Sequence, residues 1–213
     1  MRQIEEYLNT EQLQIWRSLD NPYKIQAFLD QIPYSTDDFN RCPLRVIQDQ
    51  CANCFDGALL AAAALRCLGF PPFILDMLPE PDTDDDHILA IYKVNGCYGA
   101  VAKSNFACLR FREPVYRSLR ELVMSYFDWF YNSSGQKTLR AYNRPLHLAM
   151  FDRYEWVTND ECVGLIEQRL YQLKPIPIIS VEMAQHLYPM DDLTYRAGML
   201  GVNPEGLYRP SKS

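Results

Sequence analysis

Apolar positions near the start of the chain recur at helical spacing. They run through "IEEYLNTEQLQIWRSL" and "YKIQAFLDQI", divided by the turn "DNP", and predict two helices. A loop through Pro43 follows. A third helix is predicted from about Cys54 to Leu68, stopped by Gly69 with Pro71 just beyond. The pattern then shortens. "FPPFILDML" reads as a buried strand, "PEPDTDDD" as an acidic loop, and "HILAIYKV" and "CYGAVAKS" as a hairpin turned by Asn95-Gly96. "PVYRSLRELVMSYFDWFY" reads as an amphipathic helix opened by Pro114, and "RPLHLAMF" as a strand. "NDECVGLIEQRLYQL" reads as a helix capped by Asn159 or Asp160, and the tail after Pro189 as irregular. Helices first, one central helix, then strands is the order of an α+β domain.

Three segments are expected within one globular unit: a helical stretch over 1–40, a core over 41–150, and a helical extension over 151–213. With 213 residues and 48% hydrophobic content, the chain can bury a large single core. Its net charge of −6 argues against a nucleic-acid binder working through a basic face. The N-terminus lacks the apolar run of a signal peptide, and no uninterrupted apolar stretch of roughly 18 residues is present for a membrane span. A cytoplasmic protein with reduced thiols is the expectation. The seven cysteines are odd in number and follow no framework spacing, so most read as small buried hydrophobes.

Cys54 differs from the others. On a helical wheel Ala58, Ala61, Ala62 and Leu65 fall within about 80° of it, a small-residue stripe suited to close approach to a sheet. Its thiol would point at that sheet from a helix N-terminus, where unpaired amides and the helix dipole favour a thiolate and can hold an oxyanion. Cys51 precedes the helix and lacks that position. A zinc site would need a second pair or histidines at ligand spacing, and only Cys42 is near. A thioredoxin-like pair would need a preceding strand, which "CPLRVIQDQ" supplies poorly. No metal and no cofactor is called for.

Among three histidines, His147 sits between leucines and His186 near the tail, both with structural or surface roles as the default. His87 opens the first hairpin strand, directly after Asp84, Asp85 and Asp86, which could favour its imidazolium. The acids in "DTDDDH" are spaced as a calcium loop begins, but His87 stands where the sharp-turn glycine belongs. With Asn95-Gly96 as a two-residue turn, Val94 faces Cys97 and His87 faces Ser104. Asn105 follows at the strand end. Either Ser104 or Asn105 could orient the far ring nitrogen of a base.

The stretch "CFDGALLAAAALRCLGFPP" resembles the core motif of transglutaminase-like proteins, within the papain-like cysteine hydrolase superfamily. Cys54, Ala58, Arg66, Leu68, Gly69 and Pro71 match in register, and His87 fits the family's histidine at the start of the next strand. The resemblance implies a central helix packed on an antiparallel sheet, with Cys54 as nucleophile. "QDQCANCF" also resembles the papain-like stretch whose glutamine helps form the oxyanion hole, which would make Gln48 a donor. The family pattern has an aromatic after the histidine and an aspartate on the next strand. Here Leu89 and Ala102 stand there, so the third member is Ser104, Asn105 or missing.

Two functions follow as expectations. The first is a cysteine-dependent acyl hydrolase or transferase acting on a peptide, amide or other acyl substrate. The second is a catalytically inactive transglutaminase-like binding protein. Arg110, Arg112, Arg117 and Arg120 either form an anion site, with Arg112 and Arg117 touching substrate, or pair with Glu113, Glu121 and the 82–86 loop.

Overall fold

The computed structural model describes residues 4–209, so the outermost positions of the first and last predicted segments lie outside the described residues. The N-terminal layer contains α1 (Thr10–Ser18), α2 (Pro22–Gln31) and α3 (Pro43–Asp49). Asn9 and Gln12 form a reciprocal capping box on α1. Asn21 caps α2 with Pro22 in its first turn. The segment through Pro43 is a helix where a loop was expected. Proline has no N–H to lose at a helix start, and Gln50 closes α3 at φ 48°.

The central helix α4 (Cys54–Cys67) is buried continuously from Phe55 to Leu65. A helix that is apolar all round must be enclosed on every side, so it does more than present one small-residue stripe to a sheet. α2 and α3 cover it on one side, and the sheet covers the other. Its enclosed N-terminus needs polar partners. Asn53 Oδ1 accepts the Asp56 N–H at 2.9 Å, and Asn53 N–H donates back to Asp56 Oδ2 at 3.3 Å. Asp56, fully buried, also accepts the Arg41 main-chain N–H at 2.6 Å and lies 3.6 Å from its guanidinium. Arg41 reaches on to Ser35, Asp37 and Asp49, binding the loop after α2 and the end of α3 to one helix end.

The sheet follows from β1 (Phe73–Pro79), β2 (His87–Val94), β3 (Cys97–Val101), β4 (Arg112–Tyr116), β5 (Leu139–Tyr142), β6 (Leu146–His147) and β7 (Ile176–Pro177). Its order is β4-β3-β2-β1-β5-β7, with β6 beside β1, and every pairing is antiparallel. The fold is α+β. The β2–β3 hairpin has the expected register, Val94 opposite Cys97, with Asn95 and Gly96 both at positive φ. β2 is buried on both faces. Ile88, Ala90 and Tyr92 join the α4 core, whereas Leu89 and Ile91 join a second core. That second core is covered by α5 (Leu119–Met124) and the short helix Phe127–Trp129.

Three expectations change here. The helix predicted from Pro114 divides into edge strand β4 and α5, because Ser118 caps a new start by accepting from Glu121 N–H, and Pro114 is tolerated on an unpaired edge. Only Leu146–His147 of "RPLHLAMF" is strand, and Leu148–Tyr154 turns into 3₁₀-helix. Beyond α6 (Val163–Tyr171) and α7 (Val181–Gln185), the tail carries α8 (Asp192–Gly198), whose cap Asp191 accepts from Leu193 and Thr194. Among the described residues no helix is long and apolar enough to cross a membrane.

Gly57 tests how tightly α4 is held. A Cβ there would lie 2.3 Å from Lys103 Cβ, and Lys103 is itself fixed by Nζ bonds to the Leu29 and Ile32 carbonyls at 2.7 and 2.5 Å. Helix propensity alone would make Gly57→Ala stabilising by about 1 kcal/mol. Overpacking costs about 1–3 kcal/mol, so the variant should unfold at lower urea concentration, and a raised midpoint would refute this close contact.

Candidate active site

Cys54 occupies the first position of α4, where main-chain amides face outward without intrahelical partners. It lines two adjoining cavities. The larger, about 280 Å³, is bounded by Tyr34, Asp85, Asp86, Glu167, Tyr171 and the tail residues Glu205–Leu207, among others. The smaller, about 40 Å³, brings Cys54 together with His87, Ser104 and Asn105. Cys54, His87, Ser104 and Asn105 therefore gather around the smaller cavity.

Electrostatics at the thiol differ from the helix-start expectation. Burial, and next the negative charge of Asp86, push its pKa well above the ordinary value, against the Ile88 main-chain amide, which favours the thiolate. A helix terminus acts over a few ångströms; here desolvation and like charge outweigh it. Tyr34 neighbours the sulfur, and burial followed by Cys54 raises its own ionisation too. The resting group is a thiol.

His87 is buried, and its Nε2 lies 2.7 Å from the Leu109 carbonyl. A carbonyl only accepts, so Nε2 carries the proton and Nδ1 holds the lone pair of the neutral ring. Burial lowers the His87 pKa to about 4; the Leu109 bond resists this, and the Arg112 charge reinforces it. The acids before His87 do not prevail. Asp84 is turned to the Thr138 hydroxyl at 2.7 Å, and the charge of Asp86 falls on Cys54. Strand alternation puts His87 on the side of β2 that carries Leu89 and Ile91, at the sheet end where the small cavity opens.

Ser104 and Asn105 have other partners. Ser104 Oγ accepts the Phe106 N–H at 3.0 Å. Asn105 holds the tail, donating to the Asn203 and Gly206 carbonyls at 2.9 and 3.2 Å and accepting the Asn203 N–H at 2.8 Å. The group that orients the imidazole is the Leu109 carbonyl, and a main-chain atom has no side-chain signature in a sequence. Gln48 is exposed on α3 and lines neither cavity. Arg112 is consumed structurally: it donates to Ser125 and to the Phe111 and Cys108 carbonyls, and stacks on Tyr126. Arg117 is exposed, its main-chain N–H bound to Glu121. Arg110 pairs with Asp30 and Arg120 with the Ile178 carbonyl. His147 packs against Phe73, and His186 bonds the Glu182 carbonyl.

Residues the sequence reading passed over include Tyr34, Glu167, Tyr171 and the 205–207 segment, which arrive from remote parts of the chain. Asp76, on β1, was also passed over. It is fully buried, and both carboxyl oxygens lack a hydrogen-bond partner. An acid inside the apolar run "FILDML" was its only sequence signal. Among the described residues no three His, Cys, Asp or Glu side chains are grouped to hold a metal ion.

No family model matches the chain, and no curated protein does. Among solved structures it is similar to Legionella pneumophila LapG, in an EGTA-treated form, a form with no stated treatment and a calcium-bound form, each at 17% identity and TM-score 0.36. The matches cover 47% of this chain and 66% of LapG, or 67% of the calcium-bound form. At that level the likeness carries no argument about the site.

The His87 geometry has a direct check. Nitrogen-detected NMR should find Nε2 protonated, Nδ1 bare, and no His87 titration between pH 8 and about 5. Because its folded pKa is depressed, His87 contributes stability that is present above about 6.5 and lost as pH falls toward about 4, on the order of 3 kcal/mol. Titration near 6.5 would contradict the buried, carbonyl-bound ring.

Proposed function

We propose that this chain is a cysteine-dependent acyl hydrolase or transferase, peptidase- or amidase-like, of the transglutaminase-like class within the papain-like superfamily. The observation that supports the reading is that Cys54, at a helix start, and a neutral His87 line one cavity, with Nε2 held by Leu109 and Nδ1 left with its lone pair. The "CFDGALLAAAALRCLGFPP" resemblance supports it.

In this mechanism His87 Nδ1 takes the Cys54 proton as the sulfur forms a bond to the acyl carbon. The main-chain amides of Cys54 and Phe55 face the developing oxyanion. The C–N bond breaks as the leaving amine takes the proton from His87, and a thioester remains. Water, giving up its proton to His87, hydrolyses the thioester and restores the thiol; an amine in place of water gives transamidation. Because the thiol is protonated at rest, the proton moves with the attack and no standing thiolate–imidazolium pair is required.

The second reading, a non-catalytic binding protein, draws on the same thiol. Burial and Asp86 hold it protonated, and a histidine with pKa about 4 is a weak base. Intact-mass spectrometry after exposure to an activated acyl ester separates the two. The enzyme reading predicts one acyl adduct on Cys54, absent in Cys54→Ala, and forming about 10²–10⁴-fold more slowly in His87→Ala. Labelling spread evenly over exposed cysteines such as Cys67, or none at all, would leave only the binding reading.

A further inference from the structure

The larger cavity at Cys54 has a one-sided charge. Its walls carry Asp37, Asp85, Asp86, Glu167 and Glu205, and among the described residues no Lys, Arg or His lines it. Asp37 is neutralised by Arg41 outside the cavity, but the other four take part in no ion pair among the described residues. Acidic walls alone are ordinary on an acidic protein. Asp76 makes this cavity different.

Asp76 lies across the β1–β2 ladder from Ile88, so its carboxyl projects from the same face as the Ile88 side chain, which lines the cavity. It is fully buried, with neither oxygen partnered. It lies within electrostatic reach of Cys54, Tyr171 and Asp86, all three of which line the cavity. A fold does not gain by holding an unpaired acid against a second one in its interior. Both groups are raised in pKa, by burial first, Asp86 to about 6.

We infer that the Cys54 cavity receives a positively charged organic group, an alkylammonium or guanidinium, seated against Asp86 with Asp76 behind it. The acids are spread over the walls and do not converge on a point, an arrangement suited to an extended head group and unlike the tight oxygen shell a metal ion requires. Phe55, Tyr34 and Tyr171 add aromatic surface on which such a cation can rest. The cavity, about 280 Å³, has room for an alkyl chain leading the head group away from the sulfur. As a statement about substrate this rests on the acyl-transfer reading; as a statement about binding it does not.

The test uses the full chain carrying Cys54→Ala, which removes chemistry and keeps the charges. Acetyl-lysine methylamide, acetyl-arginine methylamide, neutral acetyl-norleucine methylamide and calcium chloride are titrated separately by NMR at about 150 mM salt, where surface attraction is largely screened. The lysine or arginine probe should bind at least about tenfold tighter than norleucine, with shifts at Asp86, Glu167 and Tyr171. Asp86→Asn should remove that preference, Glu167→Gln should reduce it, and Asp82→Asn on the outer loop should not affect it. Melting curves show which variants are folded, and Glu167→Gln carries the test if Asp86→Asn is not. Equal affinity for charged and neutral probes, saturation by calcium alone, or a preference that survives both cavity variants would overturn the inference. A cation preference without an acyl adduct on Cys54 would sink the proposed reaction and leave this inference standing.

Discussion

A helix enclosed on every side creates the constraint on which the rest of this structure depends. α4 has no solvent face from Phe55 to Leu65, so its first turn cannot leave its amides to bulk water. Asn53 and Asp56 satisfy two of that end's N–H groups from within the chain, their own, and leave those of Cys54 and Phe55 toward the cavity. Arg41 then satisfies Asp56 while drawing in Ser35, Asp37 and Asp49. Buried charge of this kind is tolerated only when it is fully partnered. The outcome is a rigid collar around one residue, Cys54, with Tyr34 delivered from the same loop.

The sheet contributes through its period of two. Asp76 and Ile88 face α4, while Leu75, Met77, Leu89 and Ile91 face the layer under α5. His87 starts a strand on the α5 side, so it shares a cavity with Cys54 only at the sheet end. There the small cavity joins the two layers and Asn105 ties down the 203–206 segment. Residues from widely separated stretches, among them Tyr34, Cys54, His87, Asn105, Tyr131 and Gly206, thus share one space. Burial of the individual groups sets its chemistry, raising the thiol and the Asp86 carboxyl above their usual ranges and lowering the imidazole.

Burial also sets the terms for any ligand. It leaves the ring neutral and the thiol protonated, with no standing ion pair between them. The unpaired acids beside them are the groups left with something to gain from a cation.

Local chemistry made much of the fold legible. Asn95-Gly96 specified its hairpin and register because only residues tolerant of positive φ fit a two-residue turn. Gly69 marked the end of α4, and Asn159 capped the helical stretch before α6, for reasons contained in a few neighbouring residues. Cys54 could be placed at a helix start on the same grounds. What lay beyond reach were outcomes decided between distant segments. β4 exists because the open edge of β3 needed partners for its main chain, although the local pattern from Pro114 read as helix. The bond that orients His87 comes from a main-chain carbonyl, which every residue has and no sequence marks. The thiol's ionisation depended on burial by segments remote in the chain and on the charge of Asp86. Desolvation is a property of the assembled interior, which a helix-start argument built on local dipoles does not contain. Turns, caps and periodicity were written in the chain, and burial was decided only by the packing.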